Sequence, residues 1–177
     1  MSLKSDAVLA AISTRRSCRK YTDQMPEAAD LDAIVEAGLR AASGHGSQSP
    51  IVIRVTNKEL RDRLSTLNAQ VMGTKIDPFY GAPAVLVVLA NRQAATYVYD
   101  GSLTMGNMML AADALGYGSC WIHRAKEVFD SPEGKEILAS LGIEGDYEGI
   151  GHCVVGYRAD EKPGPFDIKD GRVFLAE

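Results

Sequence analysis

The chain has 177 residues, one domain's worth: long enough to bury roughly 70% of its unfolded surface and too short for two full catalytic domains. Its 46% apolar and 24% charged residues, with 17 Gly and 7 Pro, fall in the ordinary globular range and exclude disordered, collagen-like and fibrous classes. Nineteen Lys and Arg against 23 Asp and Glu leave a net charge of −4, so no global cationic field exists to hold nucleic acid or an anionic membrane surface.

In chain order, residues 6–14 place Val8, Leu9 and Ile12 on one face, as an amphipathic helix does, and 30–42 repeats the pattern with Leu31, Ile34, Val35 and Leu39. Between them lies a basic turn closed by Pro26. Pro50 opens the β-branched run 51–55, a strand, and 58–72 returns to helical spacing. The turn 80–83 leads into 84–89, an apolar run typical of a strand covered on both faces. Residues 97–115 form a long Ala- and Met-rich helix, apolar nearly all round, which predicts burial inside the protein or in a subunit contact. Gly116-Tyr117-Gly118 stops that helix. A short strand at 119–122, a helix at 132–141 capped by Ser131, and a strand at 150–157 complete the pattern. No repeat or linker divides the chain, so 1–177 reads as one domain, with 158–177 a tail that either frays or lies across another subunit.

The longest apolar stretches, 82–90 and 108–115, are interrupted by Pro83 and Asp113 and fall short of a bilayer span. The first six residues carry no long apolar run of the kind that directs export, so a cytoplasmic location is expected. Cys18, Cys120 and Cys153 are odd in number and far apart, which predicts shielded thiols rather than a disulfide framework or zinc site. His45, His123 and His152 are distant from one another and from carboxylates at ligand spacing, so no metal site is expected. The common serine-hydrolase, P-loop and zinc-protease signatures do not occur, and the Gly-x-Gly pairs at 44/46, 116/118 and 149/151 lack the third glycine of a dinucleotide fingerprint.

Against the acidic background, Arg15-Arg16-Ser17-Cys18-Arg19-Lys20 gathers four cations and a hydroxyl at the end of a helix. Guanidinium forks, a hydroxyl and exposed backbone N–H groups suit a phosphomonoester dianion; the same cations also suit a solvated helix C-terminus that complements the macrodipole. Two loops of small residues, Ser43-Gly44-His45-Gly46-Ser47-Gln48 and Gly116-Tyr117-Gly118-Ser119, permit close backbone approach to a flat ligand, with Trp121 and Ile122 as an apolar wall. Together with the arginines they describe a site for a phosphorylated planar cofactor.

These segments, with Asp77-Pro78-Phe79-Tyr80-Gly81-Ala82-Pro83 and the run from Ala111 to Ile122, occur in an order and spacing that resembles the FMN-dependent nitroreductase family, as one of its short members. The resemblance implies an α+β fold with a central mixed or antiparallel sheet wrapped by helices, and an intertwined homodimer holding FMN at its interface. It further implies that Arg15, Arg16, Ser17 and Arg19 hold the phosphate, ribityl chain and ring edge, that Asn68 bonds the pyrimidine edge, and that Lys169 lies near the phosphate. Cys120, Trp121, Ile122, His123 and Arg124 would run beside the ring, a backbone N–H of His123 or Arg124 approaching N5, while Ser43, Gly44, His45 and Gln48 come from the other subunit. The implied reaction is two-electron transfer from NAD(P)H to nitroaromatic, quinone or similar acceptors by a ping-pong cycle, without a side-chain nucleophile. Other readings of the same residues are a non-reductase flavin enzyme, a flavin-binding or sensing dimer without significant turnover, and a cofactor-free domain. Where the family's loop commonly carries Asn, then Gln and an aromatic, this chain has Gly46, Gln48 and Pro50.

Overall fold

The computed structural model describes residues 3–176; residues 1, 2 and 177 of the single-domain reading lie outside the described residues. Four strands, β1 (Pro50–Val55), β2 (Ala84–Asn91), β3 (Gly118–Ile122) and β4 (Tyr147–Gly156), pair entirely antiparallel in the order β1-β2-β4-β3. Six helices surround them: α1 (Leu3–Thr14), α2 (Ala28–Leu39), α3 (Lys58–Met72), α4 (Tyr97–Ala114), α5 (Ala125–Asp130) and α6 (Pro132–Ser140).

Strand alternation sorts the core into two layers. Val85, Val87 and Leu89 of β2 face Leu64 and Leu67 of α3, Val128 and Phe129 of α5 and Ile137 of α6. The intervening Leu86 and Val88 face Leu31 and Ile34 of α2 and Met105 and Met108 of α4. β2 is thus covered on both faces, as its unbroken apolar run predicts, and each fully buried aliphatic side chain contributes roughly 1.5–3 kcal/mol. β4 carries one extra residue, Ile150, where Val88 faces Gly151 and Leu89 faces Gly149. Gly151 is required by the close approach of Trp121, since a Cβ there would come within 2.5 Å of the indole Nε1.

Four features differ from the sequence reading. The second helix ends at Leu39, not 42, because the backbone leaves helical values at Arg40 (ψ 1°) and is extended at Ser43 (φ −135°, ψ 151°); a 3-10 turn, Gly44–Gly46, follows, with His45 in the left-handed region at φ 53°. The last strand begins at Tyr147, and α5 arises where the sequence showed no helical signal, its six residues too few for a period to register. The apolar residues of α1 expected on one face do not enter the chain's own core. Val8, Leu9 and Ile12 are 61%, 56% and 54% exposed, and Val8 and Ile12 join Leu110 and Ala111 of α4 in an open apolar groove of about 350 Å³. Likewise α4 buries Met105 and Met108 inward while Val98, Tyr99 and Leu103 remain exposed.

The tail does not hang free over its first part. The Ala159 N–H donates to the Lys20 carbonyl at 3.0 Å, Lys162 pairs with Asp113 at 2.6 Å, and Arg16 donates from Nε to the Gly164 carbonyl at 2.9 Å while stacking on Phe166 at 4.6 Å. Beyond it, Ile168, Val173, Phe174 and Leu175 are exposed. No helix of the described residues is long and apolar enough to cross a membrane.

Candidate functional site

The basic segment is pinned along β3, at the edge of the sheet. Ser17 bridges Ser119 in parallel register, and the Cys18 N–H donates to the Ser119 carbonyl at 2.9 Å. Cys18 is fully buried against Gly118, where a Cβ would lie 2.7 Å from its Sγ, so a cysteine flanked by cations serves as the anchor that turns them outward. The consequence is electrostatic. Arg15 Nη1, Arg16 Nη2 and Ser119 Oγ are all buried without a hydrogen-bond partner among the described residues. Buried donors left unpaired cost free energy, more so on a cation, and an anion with several acceptor oxygens answers that deficit. The residues present therefore fit a phosphate group.

Beside this segment opens a cleft of about 320 Å³ lined by Arg19, Cys120, Trp121, Ile122, His123 and Arg124, and closed on the other side by Met72, Ile76, Asp77, Pro78 and Tyr80. Burial pushes the Cys120 thiol up, against the opposing effect of Arg19, and pushes Cys153 up to about 12. Both remain thiols at neutral pH, so neither is a nucleophile. Burial holds the His152 imidazole down at about 3, neutral and wedged between Phe79 and Phe129.

Two predicted roles change here. Trp121 and Ile122 do not form one wall: alternation sends the Trp121 indole across Gly151 to the α4 side of the sheet, while Cys120 and Ile122 pack on the α3 side. Asn68 is 0% exposed, so its side chain lies beneath the cleft surface rather than on it. Its amide donates to the His123 carbonyl at 2.8 Å and accepts from Arg124 Nε at 3.0 Å.

The loop carrying Ser43, Gly44, His45 and Gln48 lies elsewhere, leading into β1 at the opposite edge of the sheet, three strand spacings or roughly 14 Å from β3. Asp100, buried in the first turn of α4, organises it by accepting from the Gly44 N–H at 3.0 Å, Ser49 Oγ at 2.7 Å, Thr96 Oγ1 at 3.1 Å and Ser47 Oγ at 3.3 Å. Burial by itself would raise the Asp100 carboxyl, but the bonds from Ser49, Gly44, Thr96 and Ser47 hold it below its ordinary value. Ser43 and Gln48 line a separate pocket of about 260 Å³ with Pro50 and Thr104. Within one chain, then, the structure brings Arg15, Arg16, Ser17, Arg19 and 120–124 together and keeps 43–48 apart from them. Lys169 is exposed on the tail, and no hydrogen bond or ion pair among the described residues engages it.

Sequence reasoning missed Asp100 and Asp77. The second accepts from the Phe79 N–H at 2.9 Å, the Gly81 N–H at 2.7 Å, Arg61 and Ser65, and so fixes the turn that aims Tyr80 at the cleft. An acidic residue inside an otherwise apolar helix was the available signal for Asp100; the segment Asp77–Pro83 was singled out, but nothing marked the Asp77 carboxylate as the group that fixes its turn. Backbone strain is the other sign of a site. The non-glycine residues at positive φ are His45 (53°), Gln48 (47°), Tyr80 (55°) and Arg124 (71°), two in the loop and two in the cleft. Such conformations cost about 1–3 kcal/mol each and persist where surroundings over-determine them.

The sequence model described as the nitroreductase family matches residues 12–78 and 73–157. A protein from Archaeoglobus fulgidus named "Putative NADH dehydrogenase/NAD(P)H nitroreductase" is 31% identical over 160 residues, covering 87% of each chain. Among solved structures, a nitroreductase with bound FMN from Bacteroides fragilis superposes with a TM-score of 0.85 at 30% identity, over 96% of this chain and 98% of that one. One with bound FMN from Desulfitobacterium hafniense gives 0.86 at 26% identity, over 97% and 98%.

Proposed function

The chain belongs to the nitroreductase family, and we propose that it is an FMN-dependent oxidoreductase that carries two electrons from NAD(P)H to nitroaromatic, quinone or similar acceptors. The observation that carries this reading is the trio of unpaired buried donors, Arg15 Nη1, Arg16 Nη2 and Ser119 Oγ, in chain segments whose next residues, Arg19 and Cys120, line the cleft. When bound, FMN would supply the two-electron redox chemistry between nicotinamide and acceptor, which alternate at one site in a ping-pong cycle. The chain supplies binding and field. Arg15 and Arg16, with the Ser17 and Ser119 hydroxyls, hold the phosphate by charge-assisted bonds. Arg19, exposed at the cleft, offers the positive charge that stabilises a ring gaining electrons.

A homodimer completes the site. The loop 43–48 and the cleft lie at opposite edges of one sheet, so only a second copy can bring such a loop to this cleft, and the exposed face of α1 with α4 offers the apolar surface such a pairing buries. The tail then reaches over the partner and brings Lys169 toward the phosphate. The test is the visible spectrum of the purified protein without oxygen. Flavin bands that bleach on adding NADH or NADPH and return on adding a quinone are expected. Bands that do not bleach would leave a flavin-binding module, and a colourless protein that takes up no added FMN would end the reading.

A further inference from the structure

Asn68 engages its amide on both sides. Nδ2 donates to the His123 carbonyl at 2.8 Å and lies 3.5 Å from His152 Nδ1, while Oδ1 accepts from Arg124 Nε at 3.0 Å. One planar head thus restrains Arg124 at two points, the carbonyl that precedes it and its own guanidinium. A trans peptide holds its C=O and N–H in opposite directions. With the His123 carbonyl held by buried Asn68, the N–H of Arg124 is turned the other way, away from Asn68, at a residue that lines the cleft, and it has no acceptor among the described residues. The same restraint explains the φ of 71° at Arg124, which an arginine adopts only when its surroundings impose it.

Resting on the FMN reading above, we propose that Asn68 is a positioning residue: by holding the His123–Arg124 peptide it selects the Arg124 N–H, rather than that of His123, as the backbone donor to the redox-active edge of the flavin. Asn is suited to this and its neighbours in chemistry are not. Asp presents an oxygen to the His123 carbonyl and loses the donor, and Leu loses both bonds at equal volume. A residue that only filled space would change unfolding when replaced and leave a bound flavin unaffected.

The full chain tests this in two measurements. In ¹⁵N–¹H spectra of the wild type, the Arg124 amide cross-peak is expected to move strongly on adding FMN. In Asn68→Asp, shown to be folded by thermal unfolding, the visible bands of bound FMN should shift and anaerobic reduction by NADPH should slow on the order of 10- to 100-fold, the scale of a misplaced reacting group, with a much smaller change in FMN Kd. Should that variant not fold, the wild-type cross-peak decides alone. An unmoved Arg124 peak in FMN-loaded wild type, or a folded Asn68→Asp with wild-type bands and rate, overturns the inference while the cofactor reading stands. So does a folded variant whose loss is entirely in FMN affinity, which would make Asn68 a direct ligand. A wild type that takes up no FMN overturns both.

Discussion

The two edges of the sheet are built on opposite principles. Along β3, the Arg15–Arg19 segment is anchored by backbone pairing and a buried cysteine, and Arg15 Nη1 and Arg16 Nη2 are left without partners among the described residues. At the other edge, the 43–49 loop is fully spent on one buried carboxylate, Asp100, which takes four hydrogen bonds. The first region is unsatisfied until an anion arrives. The second already has the Gly44 N–H and the Ser47 and Ser49 hydroxyls taken by that carboxylate. The difference teaches that, if the proposed homodimer shares its cofactor site, the two halves are not alike: one supplies charge, the other a loop already tied to a buried carboxylate.

The comparison can be broken most directly by removing the unspent charge. Arg15→Ala with Arg16→Ala should weaken FMN binding by at least about 100-fold, since each charge-assisted bond contributes roughly 1.5–3 kcal/mol; fluorescence quenching of FMN measures it, and retention of wild-type affinity would show that the cations serve only the helix end. Arg19→Ala should lower FMN retention and slow reduction, each on the order of tenfold; full flavin content and full activity would remove Arg19 from the site.

The loop should answer differently. Asp100→Asn replaces an oxygen acceptor by a donor among four donors and should cost about 1–3 kcal/mol of stability, read as a lower urea midpoint. The sign with pH follows from the depressed carboxyl: its contribution is full above the ordinary carboxylate value and is lost as pH falls through the lower folded value. The gap between wild type and Asp100→Asn should therefore be widest at neutral pH and narrow below about pH 4. A gap constant with pH would mean the carboxylate is not the loop's hub. Smallest is Tyr80→Ala, which leaves the Asp77 turn intact. It should raise KM for aromatic acceptors a few-fold, about the worth of one stacked ring, with kcat for a non-aromatic acceptor unchanged.

Much of this was legible in the sequence. The strand at 84–89 announced itself by an apolar run with no polar face, the cap at Ser131 by its position before Pro132, and the arginine segment by a charge opposite to that of the chain. The α1 helix was legible too, but not what its apolar residues face, because spacing along a helix does not say which surface packs against it. Asn68 shows the limit most clearly. Its type fitted a ligand contact, yet the fold places it below the cleft with its amide bound to His123 and Arg124.

By itself the sequence determined what depends on neighbours along the chain: element type, the antiparallel sheet's apolar strands, the cationic cluster and the small-residue loops. Tertiary structure alone decided what depends on groups far apart in the chain, namely that Asp100 closes on Gly44, that Asp77 aims Tyr80, and that Asn68 turns a peptide 55 residues away. The physical reason is that a buried polar atom is satisfied by whichever partner the packing brings to it, and only the folded chain names that partner.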